Sequence, residues 1–228
     1  MAITYQKDER SAEAVVSAIT RAGGEAFATP MDLEDLPSAQ RAVEDVLKRW
    51  GTVDVLVANA VRWGGSAPDP TTRFEDVPVE EWLAMINANL IGAAATVRAV
   101  LPSMRAQKWG RIVLISSSVA EEGVPGPGPY GTAKSGLYGL ARSLAWEGGR
   151  DGVLVNVVAP GFTLTDRRPD IPQQILDRLA AGTPTRRPSS PEDVAKLTVF
   201  LGSDANGNLT GEVLRDGSSA ARAPHVGP

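Results

Sequence analysis

Short apolar runs alternate with amphipathic stretches along the chain. Val53 to Ala58 (VDVLVA), Arg111 to Ile115 (RIVLI) and Val153 to Val158 (VLVNVV) are apolar almost throughout, as strands buried on both faces of a sheet should be. Between them apolar residues recur at helical spacing. Ala12, Val15, Val16 and Ile19 mark a helix from Ser11 to Ala22, with Ser11 placed to cap its start and Gly23 its end. Ala42, Val43, Val46 and Leu47 mark a second helix from Leu36 to Trp50, stopped by Gly51. A long helix from Trp82 to Met104 holds many small residues, and another runs from Pro129 to Glu147. The last opens with PEDVA at Pro191 and ends near Leu201, its acids lying where the helix dipole favours them. Shorter β-prone runs lie at Ala2 to Tyr5, Ala26 to Thr29 and Gly211 to Leu214.

Strands separated by helices predict βαβ units, hence an α/β fold with a doubly wound parallel sheet. One domain is expected over 1–217, followed by a flexible tail over 218–228 that is rich in small residues. Ligands of such sheets bind at the carboxyl ends of the strands, so the turns after Ala58, Ile115 and Val158 should converge on one cleft. Gly64 to Thr72 reads as a loop, and Phe162 to Pro191 as a lid over the cleft.

Composition narrows the chemistry. The 228 residues are 43% hydrophobic, enough for one domain with a sizeable core. The net charge of -4 carries no long block of either sign, so neither nucleic acid nor an anionic membrane is expected as a partner. No apolar run approaches the roughly 18 residues of a membrane span, and MAITYQKDER lacks the apolar core of a signal peptide; a cytoplasmic protein is expected. The absence of cysteine excludes thiolate catalysis and cysteine-ligated metals. The one histidine, His225, sits in the tail, so no histidine triad or histidine-held metal is expected. Acid/base work falls to tyrosine, lysine or carboxylates.

Tyr130 and Lys134 stand four residues apart, on one face of a helix. Ser117 lies thirteen residues before Tyr130, just past the strand RIVLI, and Asn89 lies inside the long preceding helix. Taken singly, each has a structural use: Ser117 as a strand-end cap, Asn89 as a packing residue, Asp32 and Asn59 as turn formers. Their joint occurrence at this order and spacing carries the argument.

That set resembles the short-chain dehydrogenase/reductase family, and within it the 3-oxoacyl-carrier-protein reductase branch. The likeness runs from Met1 to about Ser219. The dipeptide at Asp32 and Leu33 is similar to the family's adenine-contacting aspartate. VANAV, containing Asn59 and Ala60, resembles its NNAG turn, and ISS at Ser117 its catalytic serine. Tyr130 and Lys134 match its YxxxK, and Asn89 in NANL its helix asparagine. The run from Asn156 through Pro160, Gly161, Thr163 and Thr165 resembles the stretch around the nicotinamide. Arg187, PEDVA, LTGEVL and Asp216-Gly217 resemble the closing region. The resemblance implies a Rossmann-like fold and hydride transfer between NADP(H) and a small carbonyl or alcohol substrate. It also implies a homodimer or homotetramer built on the two long helices. Tyr130 would be the acid/base, Ser117 would stabilise the reacting oxygen and Asn89 would order a water. Lys134 would hold the nicotinamide ribose and, as a nearby cation, lower the pKa of Tyr130 from about 10. Gln6 and Lys7 follow AITY, so no acid stands at the strand end to bond a ribose 2′-hydroxyl, and Lys7 nearby favours NADP(H) over NAD.

One family feature has no counterpart. The TGxxxGxG loop that cradles the pyrophosphate, and the βα unit carrying it, would precede AITY. Three arrangements are expected: a chain shortened at its N-terminus, AITY shifted inward to pair with VDVLVA, or a strand supplied by a partner. Weak or no cofactor binding follows. A cofactor-independent isomerase, lyase or cyclase on the same scaffold, or a non-catalytic relative, stays open as the alternative.

Overall fold

The computed structural model describes residues 1–63, 71–123, 126, 128–165 and 171–217. The predicted tail with His225, and most of the loop from Gly64 to Thr72, lie outside the described residues. Strand β1 (Ala2–Tyr5) leads through α1 (Glu9–Arg21) to β2 (Phe27–Pro30), and the two strands pair in parallel. Helix α2 (Leu36–Trp50) leads on to β3 (Val55–Ala58). With β4 (Gly110–Ile115), β5 (Val153–Pro160) and β6 (Val213–Asp216), β3 builds a parallel sheet in the order β3-β4-β5-β6. This is the single-domain α/β architecture that the apolar pattern predicts.

The core divides at the larger sheet because alternate residues of one strand face opposite ways. Ile112 and Leu114 of β4 pack with Val43 of α2, with Val97, Val100 and Met104 of α4 (Ala93–Ala106), and with Leu137, Ala141 and Leu144 of α6 (Gly128–Gly148). Val113 and Ile115 of the same strand turn to the other face, where Leu201 of α8 (Pro191–Gly202) covers them. Helix α8 begins with a reciprocal cap: Ser190 Oγ accepts the Asp193 N–H at 3.3 Å and Asp193 accepts the Ser190 N–H at 3.0 Å.

The long helix predicted from Trp82 is α3 (Val79–Ile86) continued into α4 by a π-helical turn over Asn87–Gly92. The whole run, Val79–Ala106, has a window of mean hydropathy 1.4, apolar and long enough to cross a membrane by those measures. Half of that window is buried within the domain, where the helix packs on α2 and α6, as a core helix should be. Close approach explains its small residues. A Cβ at Gly92 would come within 2.6 Å of the Leu33 carbonyl oxygen, and one at Gly136 of α6 within 2.6 Å of Leu90.

Three expectations need correction. VDVLVA is not buried on both faces: Val55 and Val57 are 40% and 42% exposed, while Leu56 and Ala58 join the core. Among the described residues no ladder joins β1 to β3, so AITY does not shift inward onto VDVLVA. β3 is therefore an edge strand, and α8 covers its second face only in part. The segment from Phe162 to Pro191 is more than a lid loop, since it contains α7 (Gln173–Ala181). A short helix α5 (Val119–Glu122) also follows the Ser117 turn.

Candidate active site

Backbone bonds draw the turns after β4, β5 and β6 together. The Ser116 N–H donates to Val158 O at 2.7 Å, the Ser118 N–H to Pro160 O at 2.9 Å, and the Gly161 N–H to Asp216 O at 2.7 Å. A Cβ at Gly161 would lie 2.5 Å from Gly217 O, so only glycine permits this approach. Gly217 itself has φ +57° and faces Ser189, where a side chain would collide. Thr163 bridges to Ser189 and its hydroxyl donates to Gly161 O at 3.2 Å. Thr165 is exposed beyond it.

Helix α6 passes over this convergence. Its Lys134 is 3% exposed and donates from Nζ to Ile115 O, the last carbonyl of β4, at 2.8 Å. Ser116 Oγ bonds back to Lys134 O at 3.0 Å, which fixes that turn of the helix on the strand end. Burial holds the Lys134 ammonium down to about 8 from its usual 10.5. One turn earlier, Tyr130 is half-buried. Burial pushes its phenol above 10, and a hydrogen bond with the Ser117 side chain works the other way. The expected depression of Tyr130 by Lys134 is therefore not found. The ammonium lies 5.8 Å from the ring centroid and spends a proton on the Ile115 carbonyl, so desolvation of the phenol dominates. Ser117 Oγ also accepts the Val119 N–H at 3.3 Å, at the start of α5.

Asn89 sits in the π-helical turn, 2% exposed. Its side-chain amide grips the backbone of one residue. Oδ1 accepts the Arg62 N–H at 2.9 Å and Nδ2 donates to Arg62 O at 3.0 Å, with Met85 Sδ 3.3 Å from Nδ2. The side chain is thus engaged by the loop after β3, where the sequence reading gave it a water. Arg62 is anchored further by an ion pair to Glu34 at 2.6 Å. The next residue, Trp63, lays its indole against Tyr130, with ring centroids 5.4 Å apart and planes 20° from parallel. The sequence reading passed over Trp63, because no local pattern links an indole after β3 to a phenol on α6. Asn59 and Ala60, earlier in that loop, are exposed, and the Asn59 N–H closes a tight turn onto Val57 O at 3.0 Å.

Asp32 and Leu33 stand at the end of β2. Asp32 Oδ2 accepts from Gln6 at 3.0 Å and Oδ1 from the Glu34 N–H at 2.9 Å; these bonds hold its carboxyl below the usual range, the Gln6 bond foremost. Leu33 packs on Gly92 of the π-helical turn. A depression of about 400 Å³ beside Asp32 is also lined by Gln6, Asp35, Arg41 and Asp45, and none of Ser117, Tyr130 or Lys134 borders it.

A dinucleotide fits one end of this surface. Lys134 uses one of its three ammonium donors on Ile115 O and has no further hydrogen-bond partner among the described residues, which leaves two for a ribose diol. The diphosphate end does not fit. No TGxxxGxG loop that would cradle it occurs among the described residues, and the helix that follows β1 is capped by Asp8 and carries Glu9 in its first turn, so that helix start offers no substitute.

Comparisons with known proteins agree with this geometry. A family model described as enoyl-(acyl carrier protein) reductase matches residues 1–216. A 3-oxoacyl-(acyl-carrier-protein) reductase of Staphylococcus aureus is 31% identical over 214 residues, 94% of this chain and 85% of that protein. An acetoacetyl-CoA reductase of Cupriavidus necator is 35% identical over 189 residues, 83% of this chain and 74% of its own. Among solved structures, an acetoin dehydrogenase from Salmonella typhimurium superimposes with a TM-score of 0.85 at 31% identity, covering 99% of this chain and 88% of that one.

Proposed function

The chain belongs to the short-chain dehydrogenase/reductase family and is an oxidoreductase of that kind, and we propose that it moves hydride between NADP(H) and a small carbonyl or alcohol with Tyr130 as the acid/base. The observation that carries this reading is the joint placement of the three groups. The Tyr130 phenol bonds the Ser117 side chain, and Lys134 is buried one turn further along the same helix. Relatives named for reducing 3-oxoacyl and acetoacetyl thioesters support a carbonyl substrate. Lys7, two residues past β1 with only Gln6 between, supports NADP(H) over NAD.

The nicotinamide supplies or accepts the hydride when bound. Tyr130, kept protonated by its burial, hands its proton to the carbonyl oxygen as charge builds there. Ser117 donates a hydrogen bond to the same oxygen and gains strength as that charge grows. Lys134 would hold the nicotinamide ribose with the ammonium donors left free by its bond to Ile115 O. Asn89 fixes the loop that borders Tyr130 through its grip on Arg62. The cysteine-free chain, with its modest net charge, suits the cytoplasm and a small-molecule partner. Leu83 and Ile91 on the long helical run and Trp146 on α6 are exposed apolar residues on the helices expected to pair, which supports a homodimer or homotetramer.

The poor fit at the diphosphate end favours a second reading, in which the same Tyr130 serves an isomerase, lyase or cyclase without a dinucleotide. Stopped-flow turnover of 3-oxoacyl and simple ketone substrates with NADPH tests the first. Tyr130→Phe removes one hydroxyl and should lower turnover at least ~100-fold in a folded protein. Near-normal turnover in that variant would remove Tyr130 from the mechanism. Tyr130-dependent conversion without NADPH consumption would decide for the second reading.

A further inference from the structure

Ser117 has one hydroxyl proton to give, so where that proton points decides whether it can serve the reacting oxygen. The direction depends on what Ser117 Oγ accepts. It accepts the Val119 N–H, at the start of α5, at 3.3 Å, and this leaves its proton for the Tyr130 phenol with which it shares a hydrogen bond. Helix α5 is a single turn, too short to hold its own shape. Its place is set from outside. The Ser118 N–H, just before it, donates to Pro160 O at 2.9 Å. Ser135 of α6 donates from Oγ to Ala120 O at 2.9 Å. At the next residue Glu121 pairs with Arg215 of β6. Arg215 stands opposite Ala159 in the β5–β6 ladder, and the carbonyl of its neighbour Asp216 accepts the Gly161 N–H. The guanidinium thus reaches α5 from an anchored strand end. The two side chains, Arg215 and Glu121, are 35% and 21% exposed, and a pair so open to solvent adds little to stability. What it fixes is where α5 lies.

We propose that Arg215 is a positioning residue: through Glu121 it seats α5 so that the Val119 N–H occupies Ser117 Oγ and the Ser117 proton is left for the reacting oxygen. The inference rests on the reading of Tyr130 and Ser117 as the reacting pair but is tested apart from turnover. The Ser117 bond favours the Tyr130 phenolate, so a misdirected Ser117 hydroxyl moves Tyr130 ionisation to higher pH. The readout is the 295 nm ionisation difference spectrum of the intact chain, with Tyr130→Phe identifying the Tyr130 contribution and Ser117→Ala giving the full shift. Arg215→Met and Glu121→Gln should each move that contribution to higher pH, by part of the full shift. Loss of a charge alone predicts opposite directions, because removing a cation disfavours the phenolate and removing a carboxylate favours it. Lys134, 5.8 Å from the Tyr130 ring, is untouched by either change. The exchanged pair, Glu121→Arg with Arg215→Glu, should return the titration toward that of the parent. In turnover, kcat should fall by about 3- to 10-fold in each single variant with KM unchanged, a fraction of the ~100-fold or more that follows loss of such a donor outright. Any result other than a common shift of both single variants to higher pH would overturn the proposal. Should Arg215→Met fail to fold, the near-isosteric Glu121→Gln decides alone: a shift to higher pH supports the clamp, and a shift to lower pH or none overturns it. Near-normal turnover in Tyr130→Phe with both shifts intact would instead overturn the reductase reading alone.

Discussion

Lys134 gives the sharpest test of the electrostatics. It is 3% exposed, and the one hydrogen-bond partner of its ammonium among the described residues is Ile115 O at 2.8 Å. Burial lowers it from 10.5 to about 8, which corresponds to about 3 kcal/mol charged against the folded state at neutral pH. Lys134→Met removes that charge and keeps the aliphatic stem. It also orphans the Ile115 carbonyl, at about 1–3 kcal/mol. The two terms nearly offset, so at pH 7 the variant should be between equal in stability and about 2 kcal/mol more stable than the parent. The pH dependence separates them. Between the folded value near 8 and the unfolded value of 10.5, the unfolded chain binds more protons at Lys134 than the folded chain. Stability of the parent therefore rises with pH across that window, by about 2 kcal/mol from pH 7 to 9.5. The Met variant lacks this rise. Urea unfolding followed by far-UV circular dichroism, in steps from pH 7 to 9.5 at constant ionic strength, reads the difference below the range where Tyr130 ionises. A parent-minus-variant difference constant to within about 0.5 kcal/mol would refute the claim that Lys134 is held as a desolvated cation.

Other outcomes follow from the same structure. Tyr130 is pushed above 10 by burial, so it is protonated at neutral pH; carbonyl reduction should be favoured there, and alcohol oxidation should climb with pH through 9 and beyond in steady-state assays. A bell-shaped oxidation profile peaking near pH 7 would contradict this. Calorimetry should find NADPH bound far more weakly than by a relative with a glycine-rich phosphate loop, because no such loop occurs among the described residues and the acid-capped helix start after β1 does not replace it. Submicromolar binding would show the diphosphate held by other residues. Light scattering at micromolar concentration should give a dimer or tetramer, and a monomer would count against Leu83, Ile91 and Trp146 as interface residues. Ser190→Ala removes the cap that accepts the Asp193 N–H and should cost about 1 kcal/mol in urea unfolding.

Much of this was legible in the chain itself. The strands RIVLI and VLVNVV read as apolar almost throughout because both of their faces are covered, and β4 and β5 are buried along nearly their whole length. The spacing of Tyr130 and Lys134 put both on one helix face, since helical period is a local property. The helix α7 was signalled too, with Pro172 at its start and Gly182 at its end, but the Thr, Pro and Arg around it read as loop. What pattern could not supply were properties that depend on what lies across a gap in sequence. VDVLVA has the same apolar pattern as the buried strands, yet exposes Val55 and Val57, because burial depends on which neighbours cover a strand. The sign of the Tyr130 shift follows from how deeply the phenol sits and where the Lys134 proton is directed, and neither is encoded in a four-residue spacing. The stack of Trp63 on Tyr130 and the grip of Asn89 on Arg62 join a loop to helices far from it in sequence, and only the folded chain brings them together. Local periodicity determined the elements and the residue types at their ends; tertiary packing decided the burial, and burial sets the charge states and the shape of the site.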